Sequence, residues 1–569
     1  MFRKLIKEEI AKIVPLGTNF SVEVPEIAEH GDYASNIALV LAKKMANPPT
    51  SGPKEIAEEL KIKVAPRLCS GRFAICSQIE IAGPGFLNFF IKPSSLTFTK
   101  NNSHELFLTI LKNLFKKKKT VIVEYFQLNI AKRPHVGHMR SAIIGDALKR
   151  MFNEAGYNAV SDTHVGDWGT QFGILLLALK ESVAKIDASD PFGYLENLYT
   201  SQNEKILQNP ELREKAKEEF AKLERGDLKN RKIWREMVKI SMKNLEESVE
   251  LLGLLPFDEH KGESSYEKDM PGIAKKALKI GIAQKNFDGA LVVDLANENL
   301  DEAVLIKSDG ASTYLLRDLA TIEYRNKKWS PHKNLYIVDV RQEHHFNQIF
   351  SVAKKMSMTP GEHVSYGFVK LPEGVMSTRL GNAISIDDVV MEAQNRALKI
   401  IEEKNPDLKN KKEVAKQVGL GALKYFDLSH NRRSDIEFRW NEALSFEGNT
   451  GPYIQYTYAR LKSILRKTNL VVGPLSKTII MSKAERQLAV LVSRFDETLE
   501  DSLADYMPNI LANYLYGLAQ KANEFYHLHP VLQESDEEKK QFRLVLISKI
   551  SETLKKGLYL LGIDSPEEM

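Results

Sequence analysis

Cysteine is nearly absent. Cys69 and Cys76 are the only two in 569 residues, too few and wrongly spaced for a zinc cluster or a disulfide framework. A reducing, cytoplasmic setting fits, with both thiols as packing residues. Long hydrophobic runs are absent too: no stretch reaches the ~20 apolar residues of a membrane span. The opening MFRKLIKEEIAKIV is too charged for a secretory leader, and Leu5, Ile6, Ile10 and Ile13 give it the spacing of an amphipathic helix. Excess charge is small. Lys+Arg total 80 against 75 Asp+Glu, a net +5, so any footprint for a nucleic acid must be local. There is no Walker-type glycine loop, no internal repeat and no low-complexity segment. What is present is an ordinary apolar fraction, 43%, over a length that suits about three or four domains.

The chain is organised around residues 120–156, TVIVEYFQLNIAKRPHVGHMRSAIIGDALKRMFNEAG. Val121 to Phe126 is β-branched and aromatic and reads as a buried strand. A loop follows. From His138 the apolar positions Met139, Ala142, Ile143, Ala147, Met151 and Phe152 recur at helical spacing, and Gly156 stands where a C-terminal cap belongs. Strand, loop and helix form the first unit of an α/β, doubly wound, Rossmann-like parallel-sheet domain. His135 and His138 flank Gly137 at the helix start. Free N–H groups and partial positive charge there favour an anion, and a glycine lets a phosphate or base approach the backbone. The alternative is a pair of surface or metal-binding histidines.

The wider wording favours the phosphate site. Asn129-Ile-Ala-Lys132-Arg-Pro-His135-Val-Gly-His138-Met-Arg-Ser-Ala-Ile-Ile-Gly-Asp146 resembles the signature region of the class I aminoacyl-tRNA synthetases, in the form carried by the arginyl members. His164-Val-Gly-Asp-Trp-Gly-Thr-Gln171, Val375-Met-Ser-Thr-Arg379 and Gly448-Asn-Thr-Gly-Pro-Tyr-Ile-Gln-Tyr456 agree, and the likeness runs from about residue 30 to Met569. The resemblance implies arginine activation by ATP to an adenylate, then transfer to the terminal ribose of tRNA(Arg). It implies His135, Gly137 and His138 on the phosphates. It places Glu124, Asn129, Tyr314, Asp318 and Gln342 around L-arginine, with Tyr314 and Asp318 toward the guanidinium. Planar carboxylate partners suit that group. Met376, Ser377 and Arg379 lie in the second signature, where Val375 and Thr378 replace its two usual lysines. Lys132, in the loop before His135, is the candidate to supply the missing cation. Magnesium is expected to arrive with ATP, with no tightly bound metal or organic cofactor and no membrane partner. The family is mostly monomeric.

The remaining chain reads as follows. Residues 1–104 form an N-terminal α+β domain: an opening helix, one after His30-Gly-Asp32, one at Pro53–Lys63, and strands around Arg72–Cys76 and Gln78–Ile91. The resemblance places Phe86 and Asn88 on a splayed tRNA base; the alternative is a core phenylalanine and a turn asparagine. The lysine run Lys116–Lys119 is a solvated linker or a phosphate contact. Residues 105–385 form the catalytic domain, with a charged helical insertion at about 190–250 and strands at Gly289–Asp294, Glu302–Ile306 and Leu335–Val340. Residues 386–450 connect, and 451–569 form a C-terminal helical bundle, which the resemblance makes anticodon-binding. On the bundle's first helix Ile454, Tyr458, Leu461 and Leu465 make a core stripe. Tyr453, Tyr456, Arg460, Ser463 and Lys467 make a second, aromatic and basic one suited to single-stranded RNA, or an ordinary amphipathic face. Two rivals stand beside this reading: a small-molecule nucleotidyltransferase sharing the His-x-Gly-His motif, and a non-catalytic RNA-binding relative.

Overall fold

The computed structural model describes residues 2–45, 52–70, 74–96, 119–182, 189–370, 384–468 and 480–569. Its centre is a four-stranded parallel sheet. Strand β1 (Thr120–Glu124), helix α1 (Val136–Glu154) and strand β2 (Asn158–Asp162) make one βαβ unit. Helix α2 (Tyr314–Trp329) leads into the second: β3 (Lys333–Tyr336), helix α3 (Glu343–Lys355) and β4 (Gly361–His363). The order is β4-β3-β1-β2, with Val123 registered on Leu335 and Ser161. Val121, Ile122 and Val123 are fully buried, as expected of a strand covered on both faces.

Helix α1 starts two residues earlier than its periodicity suggests and ends as expected, with Gly156 at φ +89°. Its apolar stripe is buried, but so is everything else from Met139 to Phe152. The helices 411–429, 495–504, 508–528 and 537–560 cover its far side. The charged residues survive there by pairing. Arg140 donates to Gly367 O, Ser434 O and Asp427 Oδ1 at 2.7, 2.8 and 3.3 Å. Arg150 holds Asp146 at 2.7 Å, and Lys149 holds Asp258 at 2.8 Å. Gly145 meets the root of the Tyr125 ring, which a Cβ would overlap. Gly145→Ala should therefore cost about 1–3 kcal/mol of stability. Chemical denaturation checks this, and an unmoved midpoint would mean that Tyr125 can swing aside.

The N-terminal region carries helices Phe2–Ala11, Ile37–Lys44 and Pro53–Leu68 beside an antiparallel sheet. Its hairpin pairs Cys76–Ala82 with Phe86–Ile91 across the Gly83–Gly85 turn. The strand expected around Arg72 therefore begins at Cys76, and residues 71–73 lie outside the described ones. So does Lys116–Lys118. The insertion is three helices, 191–208, 211–224 and 228–251. A small antiparallel sheet joins 291–293 and 303–306 to an additional strand at 283–285.

The C-terminal bundle opens at Gly451–Arg466, capped by Thr450, so Pro452 is the second helical residue and not the first. Ile454, Tyr458 and Leu461 are buried as expected, while Leu465 is half-buried. The bundle also grips the N-terminal region. Arg486 clasps both oxygens of Asp32 at 3.1 and 2.5 Å, and Tyr33 donates to Glu497 at 2.9 Å. Arg3 donates to Asp501 at 2.8 Å, and Arg494 donates to Asp32 O at 2.6 Å.

Candidate active site

The two βαβ units diverge at β1 and β3, so a crevice opens beyond the carboxyl ends of these strands, where doubly wound folds bind ligands. Ser141 of α1 fixes its lip by accepting from Phe126 N at 3.0 Å and donating to Ile337 O at 2.8 Å. The loops that follow β1 and β2 hold Phe126, Ala131 and His164 at φ +59°, +56° and +41°. Three non-glycine residues in this region at one site store backbone strain of ~1 kcal/mol or more each.

His135 and His138 cap α1 with each other's help. His135 Nδ1 accepts from Gly137 N at 3.1 Å, and His138 Nδ1 accepts from His135 N at 3.2 Å. The rings lie 3.9 Å apart. Burial, then the charge of Lys132, pushes His135 below its usual range; burial, His135 and Lys132 push His138 down to about 4. Both imidazoles are therefore neutral at pH 7. With Nδ1 accepting in each, the proton sits on Nε2. The pair presents two neutral N–H donors at a helix N-terminus. A Cβ at Gly137 would come within 2.9 Å of His135 Cε1, so only glycine leaves the capping ring its place.

The second signature, with Met376, Ser377, Arg379 and the substituted Val375 and Thr378, lies outside the described residues. Its two ends are described. Val369–Lys370 pairs with Ile436–Glu437. At the other end Val136 N donates to Ile384 O at 3.0 Å and Ile386 N to Pro134 O at 3.1 Å. The chain leaving the second signature is thus zipped directly onto the first.

Lys132 is exposed beside the histidines, its Nζ 5.7 Å from the Tyr199 ring centroid, and has no carboxylate within ion-pair reach among the described residues. Its neighbour Arg133 is engaged: its backbone N and Nε reach Glu196 at 3.2 and 3.1 Å.

On the other side of the crevice is a charged cluster. Glu124 ends β1 and Asp162 ends β2, both buried, and the fully buried Arg325 of α2 meets them at 2.6 and 2.8 Å. Asp318, two turns before Arg325, accepts from His345 Nε2 at 2.9 Å and faces His164 Nε2 at 3.5 Å. Burial alone would raise the Asp318 carboxyl, but the bonds to His164 and His345 outweigh it and hold the group well below the carboxylate range. For His164, burial disfavours the charge and the fields of Glu124 and Asp318 restore it, giving about 9. Tyr314 is exposed on the same helix, its ring 5.4 Å from the Arg317 guanidinium carbon. Gln342, exposed, ends the 3₁₀ turn after β3. Asn129 is exposed and pairs in a bridge with Gly166, where a Cβ would strike its side-chain oxygen.

Two groups of expected site residues are thus built: Lys132 beside His135 and His138 at the start of α1, and Glu124 and Asp318 tied through Arg325, His164 and His345. Sequence reasoning gave no role to His164, His345 or Arg325. Arg325 falls seven residues, two helical turns, after Asp318 and so on the same side of α2, and that spacing was the available signal.

Phe86 and Asn88 lie far along the chain on the N-terminal hairpin, Phe86 half-buried and Asn88 buried. On the bundle, Tyr456 is exposed. Tyr453 Oη receives a bond from Asn523 at 3.0 Å, and the Arg460 guanidinium lies 4.3 Å over the Tyr526 ring.

Three family models match the chain: tRNA synthetases class I (R), catalytic domain, over residues 106–440; the DALR anticodon binding domain over 454–569; and the arginyl tRNA synthetase N terminal domain over 1–91. The arginine–tRNA ligase of Halothermothrix orenii is 36% identical, covering 99% of this chain and 98% of the relative. That of Clostridium kluyveri is 36% identical over 100% of both. The structure of Thermus thermophilus arginyl-tRNA synthetase matches with a TM-score of 0.80 at 27% identity over 100% of both chains. The Plasmodium falciparum enzyme shares the fold, with a TM-score of 0.79 at 24% identity over 100% of this chain and 98% of that one. The chain belongs to the arginyl-tRNA synthetase family of class I aminoacyl-tRNA synthetases.

Proposed function

We propose that this chain charges tRNA(Arg) with L-arginine through the crevice at the ends of β1 and β3. The observation that supports the reading best is the pair of neutral Nε2–H donors at the N-terminus of α1, in a chain that also carries the acid Asp318 on α2, held ionised by His164 and His345. The arginine carboxylate attacks the α-phosphorus of ATP, the bond to the β-phosphate bridging oxygen breaks, and pyrophosphate leaves. The 2′-hydroxyl of the tRNA terminus then attacks the acyl carbon and AMP leaves. No protein nucleophile is required; the site positions its substrates and stabilises charge. His135 and His138 donate to the phosphates, Gly137 leaves room for them, and Lys132 supplies the cation, with Met376, Ser377 and Arg379 closing from the second signature. Asp318 and Tyr314 take the guanidinium; Glu124, Asn129 and Gln342 take the rest of the amino acid.

Magnesium enters bound to the triphosphate. The chain works as a monomer in the cytoplasm. Its parts are an N-terminal tRNA-contacting domain (1–104, with Phe86 and Asn88), the catalytic domain (105–385), a connecting region (386–450) and an anticodon-binding bundle (451–569). Tyr453, Tyr456 and Arg460 of the bundle meet the RNA.

Amino-acid-dependent ATP–pyrophosphate exchange tests the reading. Arginine alone among the amino acids should support exchange, and only when tRNA(Arg) is present, because a site short of loop lysines needs the RNA to complete it. Exchange driven better by another amino acid would overturn the substrate assignment. Robust arginine-dependent exchange without tRNA would overturn the completion.

A further inference from the structure

The carboxylates of the arginine pocket already hold cations. His164 is the one that faces Asp318 and feels the field of Glu124, the two acids assigned to the substrate. Its Nε2 is 3.5 Å from Asp318 Oδ1, its side chain is 10% exposed, and Glu124 acts on it from β1. The backbone is bent into place for this: φ at His164 is +41°, and its N–H donates to Asp162 Oδ1 at 3.2 Å. Every element packed around the ring contributes charge or a polar group. Its own loop brings Asp162 and Asp167, the turn at 263–266 brings Glu263 and Tyr266, and α2 brings Asp318 and Arg325. Helix α3 brings His345, on the second oxygen of Asp318, and Lys261 lies 5.1 Å from the Tyr266 ring centroid. Acids outnumber cations at this point, so an imidazolium is favoured while the pocket has no other occupant.

A guanidinium seated on Asp318 reverses that balance. It brings a permanent positive charge to an oxygen the imidazolium faces, in a site sheltered from solvent, where like charges repel strongly. Unlike Arg325, the imidazole can respond by losing its charge.

We propose that His164 is a resident cation of the arginine pocket: it balances Glu124 and Asp318 until the substrate guanidinium arrives, then gives up its proton, so that arginine binding is a proton-coupled exchange of cations. The inference rests on the assignment of Asp318 and Glu124 to arginine and adds a positioning role for a residue that has none. Without that proton Asp318 would keep only its bond from His345, since Arg325 is engaged by Glu124 and Asp162; with it retained, the substrate would be repelled.

The sign follows from linkage. The complex binds fewer protons than free enzyme plus arginine, so raising the pH strengthens binding. The slope is ~10-fold in Kd per pH unit for one proton. It holds below the free-state value of about 9 at His164 and fades below the value in the complex. Asp318, held low, stays charged throughout.

Titration calorimetry of arginine into the full-length chain at pH 7.5, in phosphate and in Tris, reads the proton directly. The apparent enthalpy should differ between buffers by the amount for about one proton released, and Kd should fall as pH rises from 6.5 to 8.5. In His164→Asn the buffer dependence and the pH slope should both vanish, while His345→Asn should keep them. Buffer-independent heats with a flat Kd in the unmodified chain would overturn the exchange, and this arm needs no variant to fold. Release kept in His164→Asn but lost in His345→Asn would overturn the assignment to His164. Asp318→Asn separates the two levels. Undiminished arginine binding by that variant would bring down the pocket assignment itself. Asp318-dependent binding without proton release would bring down the exchange alone.

Discussion

Lys132→Ala is expected to lower kcat for tRNA charging by on the order of 10²-fold, about 2.7 kcal/mol of transition-state stabilisation, with a modest change in the KM for arginine. The second signature carries Thr378 where the family's usual pattern has lysine, yet charge still develops on the α-phosphate and needs a cation near it. Lys132 is placed for this. Its positive charge is felt by both His135 and His138, and it has no carboxylate partner among the described residues. Arg133, the alternative in the same loop, is held by Glu196 through both its backbone N and its Nε. A contact that strengthens in the transition state shows in kcat more than in KM. Adding Thr378→Lys to the alanine variant should recover part of the rate. Single-turnover adenylate formation is the measurement. A near-normal kcat in Lys132→Ala would transfer the role to Arg379.

Asp318→Asn should reduce kcat/KM for arginine by ~30- to 5,000-fold and leave the KM for ATP nearly unchanged. The range corresponds to the ~2–5 kcal/mol lost when one partner of a desolvated, hydrogen-bonded charge pair is neutralised. Asparagine keeps the shape and one acceptor oxygen, so the loss reports charge and not packing. His164 and His345 hold the aspartate deprotonated well below neutrality. Asp318 itself therefore contributes no pH dependence between 6 and 9 in the unmodified enzyme. Unchanged steady-state constants for arginine would remove Asp318 from the guanidinium site.

The elements that sequence reading recovered are those whose signal is local. The buried run Val121–Val123, the glycine that ends α1 and the polar loop before His135 each act over a few residues, and each is where it was expected. What the reading missed depends on distant parts of the chain. The periodicity of α1 predicts one buried side. Its charged side is buried as well, because helices from residues 411 onward pack over it, and no local pattern announces a partner almost three hundred residues away. The same holds in the site. Asp318 and Glu124 were legible as candidate acids. That Arg325 would join Glu124 to Asp162, and that two imidazoles would flank Asp318, follows from where β1, β2, α2 and α3 converge. The neutral Nε2–H form of the signature histidines was hidden for a different reason. It depends on which ring nitrogen each backbone N–H reaches, and residue types do not specify that.

The clasp between the first and last regions sets a timetable for synthesis. Asp32 and Arg486 are 454 residues apart, and Tyr33 and Glu497 are 464 apart. At ~5–20 residues per second, a ribosome needs roughly 20 to 90 s to bring the second partner out after the first. Through that interval the N-terminal hairpin can form, since its strands are neighbours, and Ile91 N can hold Asp32 Oδ2, but the partners from Arg486 and Glu497 are missing. The nascent chain therefore carries Asp32 without its arginine partner for most of its production. Closure of this clasp is a late event in synthesis, since Arg486 follows Asp32 by 454 residues.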